Sequence, residues 1–466
     1  MTLLVPISRS AVAAGVALLL SAPMASAQRL TLADALDRAD RWAYGNRAQT
    51  AAARAQRAQS MLPLRGILPT VRFDAGFMRT TDPIGAFGTT LRQRTITQQD
   101  FDPSKLNYPP VASNYTGAVV LEQPLFNADA FAGRRAASHA GDAALGTAEW
   151  ARTVTRVDVV RAYYGAALAR EKVTTLLTAV RAATEHVRQA ELMAQNGLVT
   201  PSDALLAAVK AGEVETSLLE ARGESFNTRL ALATLLGAPN DTLMLLPDGL
   251  PASEAIRALA AEALDAQAGH TRPDVDASRS QAEAAASDAL RAKLLSLPRL
   301  NGFARYDWNS VLRPYGGDKN WSVGVMASWT LFAGASELAE RRITSARRAG
   351  ADAMRDGVEA KAMLEIEQST TSLRTAIARL AIAERGVKQS GDAHRIVSRR
   401  YAGGLAAVVE LLDAAAIETQ TRLGHAASRY TLIVAIAERR KALGLDPGIV
   451  RSLDNAPVTA LSQHEP

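Results

Sequence analysis

Four stretches of this chain alternate apolar and polar side chains with a period of two, and no other feature limits its possible folds as much. Val71, Phe73, Ala75 and Phe77 alternate with Arg72, Asp74 and Gly76, and Tyr115, Val119 and Leu121 alternate with Asn114, Thr116 and Glu122. Further on, Leu300, Ala304, Tyr306 and Trp308 alternate with Asn301, Arg305 and Asp307. In the last stretch Trp321, Val323, Val325, Ala327, Trp329 and Leu331 alternate with Ser322, Gly324, Ser328 and Thr330. Successive side chains of a strand point to opposite faces, so each stretch predicts a half-buried strand. Taken singly, each also fits a hairpin of a soluble sheet. Together, at about 10 residues apiece, they fit strands that cross a membrane, with Trp308, Trp321 and Trp329 as an interfacial aromatic girdle. Four strands cannot close a barrel, and an open edge in lipid leaves backbone groups unpaired, so several protomers must share one barrel in a cyclic oligomer.

The strands belong to a plan that occurs twice, over 28–237 and over 272–444. Each copy opens with an alanine-rich helix ending in Leu68-Pro69 or Leu297-Pro298, because proline stops a helix and favours extended chain before it. Polar connections over 80–112 and 310–319 join the strands of each pair and are expected to face outward. A very long helix follows, from about Ala128 to Gln195 and from about Ala335 to Arg400; at 1.5 Å per residue the first reaches roughly 100 Å. Val159, Ala162, Ala166, Ala169, Val173 and Leu176, then Val180, Ala183, Val187, Ala190 and Ala194, recur at spacings of three and four, a coiled-coil seam. Each long helix turns back at a short tip, around Gly197-Leu198-Val199-Thr200 and Tyr401-Ala402-Gly403-Gly404-Leu405. Thr200 is the expected N-cap of the return helix, with Pro201 at its first position and Asp203 completing a capping box. The returns stop at Gly237 and Gly444, each with a proline just beyond. The predicted fold is therefore mainly α, two long helical hairpins with four β-strands per protomer, plus a linker over 238–271 and a tail over 445–466.

At the N-terminus, Arg9, an apolar run from Ala11 to Leu20 and the triplet Ala25-Ser26-Ala27 predict a signal peptide over 1–27. The run is shorter than the ~20 residues of a membrane helix, and no later stretch approaches that length. The chain has no cysteine, which excludes disulfides, thiolate metal sites and a lipidated N-terminal Cys. The net charge of +6 is spread along helices rather than gathered with aromatics, so nucleic acid is not an expected partner.

These elements, in this order, resemble the TolC-type family of outer-membrane efflux proteins over nearly the whole mature chain. The likeness rests on the duplicated order and on local motifs: the Leu-Pro pairs, Gln123-Pro124-Leu125-Phe126 and Trp329-Thr330-Leu331-Phe332 leaving the second strands, and the two tips. It implies a homotrimer with a twelve-stranded barrel in outer-membrane lipid, a helical tunnel through the periplasm, and a belt built from the linker and tail. It further implies that the tips, Gly197, Leu198, Val199, Thr200, Gly403, Gly404 and Leu405, meet a periplasmic adaptor protein joined to an inner-membrane transporter. Glu410 and Asp413 match an acidic pair ringing the periplasmic entrance, and Asp203 and Tyr401 match residues that hold it shut. Ala406 stands where the family's best-known member has an arginine, which removes one charged part of that lock.

Two other classes compete with an exit duct. An enzyme finds no support: there is no Walker loop, HExxH or Gly-x-Ser-x-Gly, no cofactor motif, and His139, His186, His270, His394 and His425 are scattered singly. A soluble periplasmic coiled-coil adaptor or scaffold would have no use for four apolar-faced strands bearing tryptophans.

Overall fold

The computed structural model describes residues 30–239, 249–267 and 272–455, so the leader expected at 1–27 and parts of the linker and tail lie outside the described residues. The chain divides into two compact units, one of residues 47–151 and 270–365, the other of residues 1–46, 152–269 and 366–466.

The first unit holds most of α2 (Tyr44–Gln59), α8 (Pro273–Leu294) and the sheet: β1 (Thr70–Thr80), β2 (Ala112–Phe126), β3 (Arg299–Ser310) and β4 (Asp318–Ser328), antiparallel in the order β1-β2-β3-β4. Residues directly opposite in a ladder share a face, so the register tests whether the four alternating patterns combine. They do. Phe73 lies opposite Val119, Val119 opposite Tyr306, and Tyr306 opposite Trp321, while Leu121, Ala304 and Val323 form the next such row. The shared apolar face is open: Val71, Phe73, Trp321, Val323 and Val325 are exposed, Trp321 at 75%.

The opposite face is polar and joined across strands. Asn114 Nδ2 donates to Asn309 Oδ1 at 2.8 Å, and Asn309 Nδ2 donates to Asp307 Oδ2 at 2.8 Å. Gln93, from the connection between β1 and β2, donates through Nε2 to Asn114 Oδ1 and to the Ser113 carbonyl. That connection is not the plain polar loop expected; it carries α3 (Pro83–Arg92) and α4 (Pro103–Asn107). Both begin at an Asp-Pro pair. The carboxylates of Asp82 and Asp102 cap the amides of Gly85 and Ser104, and each proline takes the first helical position, where a missing N–H costs nothing.

Two boundaries also differ from expectation. β4 ends at Ser328, one residue before Trp329. Its last partner is Arg299, and the residue before that is Pro298, which has no N–H to continue the ladder. The Trp329 indole donates instead to the Ser296 carbonyl at 2.9 Å. β2 runs on to Phe126 through an irregularity between Pro124 and Phe126, which inserts Leu125 and leaves the strand longer than its alternation suggested.

The second unit is built on the helices. α5 (Ala128–Gln195) and α9 (Ser336–Ala402) have 68 and 67 residues, and each contributes to both units; their returns, α6 (Pro201–Leu235) and α10 (Val408–Ala442), have 35 each. The predicted seam of α5 is turned inward: Val159, Ala166, Ala169, Leu176 and Ala190 are buried, and none of the other seam positions is exposed. The largest cluster joins Val159, Val160, Tyr163 and Tyr164 of α5 to α1 (Leu32–Trp42), to Ile256 and Ala260 of α7 (Ser253–Asp265), and to Leu432, Ile433 and Ile436 of α10. Tyr163 and Tyr164 pack edge to face at 5.2 Å and donate to the carbonyls of Leu30 and Val450, so the chain ends of this unit are tied to its centre. Arg429, buried on α10, pairs with Glu171 of α5 and donates to the carbonyls of Leu250 and Pro251 at 3.2 Å, while Glu171 accepts the Leu250 amide at 3.0 Å. One buried charge pair therefore fixes the start of the segment that carries α7.

Candidate functional site

The two tips close in the same way. Gly197 and Gly404 sit at φ +73° and +70°, conformations that glycine adopts without the steric cost of a Cβ. At the first, Gly197 N donates to Ala194 O and Leu198 N to Met193 O; at the second, Gly404 N donates to Tyr401 O and Leu405 N to Arg400 O. This paired pattern is the Schellman closure of a helix, and it recurs where α6 and α10 end, at Gly237 and Gly444. Leu198 and Leu405, each following its glycine, stand out at the same 72% exposure, whereas Val199 is half-buried.

The return helices start differently. Thr200 and Asp203 form a full capping box, with Asp203 Oδ2 accepting from Thr200 N at 3.0 Å and the Thr200 hydroxyl accepting from Asp203 N at 3.3 Å. Ala407 has no side-chain oxygen, so only half of the device remains: Glu410 Oε1 accepts the Ala407 amide at 3.3 Å. Glu410 also lies 3.7 Å from Arg400, whose other nitrogen donates to the Leu405 carbonyl. An arginine thus serves the second tip from the end of α9 even though Ala406 occupies the position where one was missed. Asp413, one helical turn beyond Glu410, is exposed, and its charge reaches Lys210 of α6.

Above the tips an apolar cluster joins all four helices: Ala190 of α5, Ala207 of α6, Tyr401 of α9, and Val408, Leu411 and Leu412 of α10. Tyr401 is 1% exposed and its hydroxyl is buried without a hydrogen bond. Burial, then the nearby Asp203 charge, raises its pKa, so it is a neutral phenol at physiological pH. Asp203 and Tyr401 are near neighbours, but the Asp203 carboxylate is committed to the Thr200 cap rather than bonded to the phenol.

The three tryptophans occupy different settings. Trp321 projects from the open apolar face, Trp329 anchors just past its strand, and Trp308 lies over Gly117, where a Cβ would come within 2.3 Å of the indole. Its ring also stacks on Phe73 at 5.9 Å.

The structure joins two residues that read as isolated in the sequence. His186 of α5 and His394 of α9 meet with ring centres 5.7 Å apart, and His394 Nδ1 lies 2.6 Å from Glu418 Oε2 of α10. The signal was the repeat itself, since each histidine stands about three helical turns ahead of its tip glycine.

No helix among the described residues is long and apolar enough to cross a membrane; the exposed apolar face belongs to the sheet. No curated protein matches the sequence. Solved structures share the fold: the outer-membrane channel OprN at 20% identity and TM-score 0.74, with 90% of each chain covered. VceC from Vibrio cholerae aligns at 20% identity and TM-score 0.72 over 89% of this chain and 96% of its own. CmeC from Campylobacter jejuni aligns at 18% identity and TM-score 0.73 over 89% and 85%. The family model described as outer membrane efflux protein matches residues 47–238 and 265–445, most of the chain, and by that match the protein belongs to the outer membrane efflux protein family, the TolC-type channels.

Proposed function

We propose that this outer-membrane efflux channel works as a passive duct, three copies sharing a twelve-stranded barrel, with cargo delivered by an inner-membrane transporter through a periplasmic adaptor. The cargo class is drugs, other small molecules or polypeptides, in a tripartite efflux or type I secretion assembly. The observation that carries the reading is the register. Four alternating patterns merge into one exposed apolar face, while β1 and β4 keep an unpaired edge each, and in lipid only other protomers can cover those edges.

The tips are the proposed adaptor contact. Two turns with the same closure present Leu198 and Leu405 outward, beside glycines whose added Cβ would meet no neighbouring atom. Glu410 and Asp413, repeated about a threefold axis, would ring the entrance with negative charge, and a narrow low-dielectric opening concentrates such a field. The apolar cluster around Tyr401, with Asp203 and Arg400 at its margin, is the proposed closure of that entrance. The linker and tail form the proposed belt, supported by the way residues 249–267 and 445–455 pack on α10.

Light scattering on detergent-solubilised full-length protein tests the assembly: a trimer is expected, and a stable monomer that keeps its strand content would sink the idea. Gly197→Leu and Gly404→Leu should abolish export in cells while leaving the trimer intact. Undiminished export by both variants would remove the tips from the adaptor contact.

A further inference from the structure

The joint between the two hairpins contains one buried polar cluster that the duct reading does not use. Where α9 meets α10 the polar groups are matched: His394 Nδ1 to Glu418 at 2.6 Å, and Ser390 to Thr421, hydroxyl to hydroxyl, at 2.6 Å. Arg422 adds two bonds to Glu418, at 2.9 and 2.6 Å. Where α5 meets α9 the match fails. His186 is buried, neither of its ring nitrogens has a hydrogen-bond partner, and it packs edge to face on His394, whose own Nε2 is also buried and unbonded. Unpaired buried polar atoms are costly, so a protein keeps them only where something is gained.

From this geometry we infer that His186 and His394 form a proton-sensitive joint, which holds the first hairpin against the second at neutral pH and releases it on acidification. The inference rests on the duct reading for its consequence, an entrance that opens, but not for its physics. His394 has the Glu418 carboxylate within 2.6 Å, whereas a proton on His186 would sit on a buried ring with no acceptor beside it.

Charged groups on each of the four helices of these hairpins are held in ion pairs. On α5, Glu185 pairs with Arg188 at 2.5 Å. On α6 Lys210 pairs with Glu213 at 2.8 Å, and on α9 Asp392 pairs with Arg395 at 2.7 Å. On α10 the acid is Glu418, held down to about 2, first by the His394 bond and then by Arg422 against the opposing effect of burial, so it stays ionised throughout. The pKa of His186 is lowered, by burial first and then by His394, with Glu185 opposing. A histidine whose packed pKa lies below its exposed value of 6.5 stabilises the packed state fully above 6.5 and loses that contribution as pH falls below it. The ratio of released to packed hairpins therefore rises by at most tenfold per pH unit for this one group.

The absence of native cysteine allows spin labels at Thr184→Cys on α5 and Ala393→Cys on α9, both exposed positions, in the full-length trimer. Pulsed electron resonance between pH 7.5 and 5 should show the packed distance giving way to a longer one below 6.5. His186→Phe, which keeps the ring volume and cannot take a proton, should hold the packed distance throughout. Planar-bilayer conductance should rise with the longer population in the parent and stay flat in His186→Phe. An unchanged distance in the labelled parent, or the same acid response in His186→Phe, overturns the joint. So does zinc producing the change at pH 7.5 with reversal by chelator, which would make the pair a cation site. A distance change without a conductance change keeps the joint and refutes only the entrance it was taken to control.

Discussion

Replacing Arg429 with methionine should loosen the segment that begins at Leu250 far more than the loss of one surface ion pair would. Arg429 is 3% exposed and Glu171 16%, so the change strands a mostly buried carboxylate and leaves the Leu250 and Pro251 carbonyls without their donor. Breaking a buried pair from one side costs about 3–5 kcal/mol. The partial exposure of Glu171 lets water recover some of that, which places the expected cost near the lower bound, about 3 kcal/mol. At about 1.4 kcal/mol per decade, amide exchange across Ser253–Asp265 should accelerate by roughly 10²-fold. Hydrogen–deuterium exchange read by mass spectrometry on the folded protein measures this directly and needs no global unfolding. Adding Glu171→Gln removes the stranded charge but keeps an acceptor for the Leu250 amide, so the double variant should recover at least about a decade of protection. Acceleration below tenfold in Arg429→Met, or a double variant no better protected than the single, would show that packing around Ile256 and Ala260 holds the segment without the ion pair.

In planar bilayers, the Glu410→Ala/Asp413→Ala double variant should lose cation preference and block by multivalent cations; retention of both would reduce the pair to a solvated face. Tyr401→Phe should keep or slightly raise thermal stability, because the hydroxyl it deletes is buried and unbonded, whereas Tyr401→Ala should cost about 3–5 kcal/mol and raise conductance. Gly117→Leu should displace Trp308 and cost about 1–3 kcal/mol, read by tryptophan emission and gel mobility of the unheated protein, while Gly76→Leu, with open space around its Cβ, should leave both unchanged. Glu418→Gln should lower resistance to urea at neutral pH. Because the folded pKa of Glu418 is depressed to about 2, its contribution is present above about 4.5 and lost below, so variant and parent should converge as pH falls through that window.

Much of the architecture was legible because the elements carry strong local signals. The Leu-Pro pairs mark where each first strand begins, and Gly197, Gly404, Gly237 and Gly444 mark all four helix ends, since the left-handed closure asks for glycine whatever packs around it. The errors fell where a signal was read too coarsely or lay across the chain. Trp329 continued the alternation of β4, but its ladder partner would have been Pro298, and register is invisible in a single strand. The two Asp-Pro starts in the outer connection were local and available; they were missed because a polar, proline-bearing stretch reads first as loop.

The residues carried over by resemblance show the harder limit. Asp203 was legible as a cap because its partner, Thr200, lies three residues away, and the structure gives it that role. Its relation to Tyr401 came only from resemblance, and here the carboxylate serves the cap instead of bonding the phenol. Ala406 was legible as a departure from the family, but the approach of Arg400 to Glu410 at 3.7 Å arises only once the helices have folded back. The His186–His394 contact likewise depends on two helices more than 200 positions apart in sequence, each unremarked by itself. The local signals specify the helices and strands of the channel, while the proposed control of its entrance lies in contacts between hairpins. Those contacts depend on how the repeats pack, and a change that spares both helices but alters their joint, as His186→Phe does, is therefore expected to leave the fold intact and change only the gate.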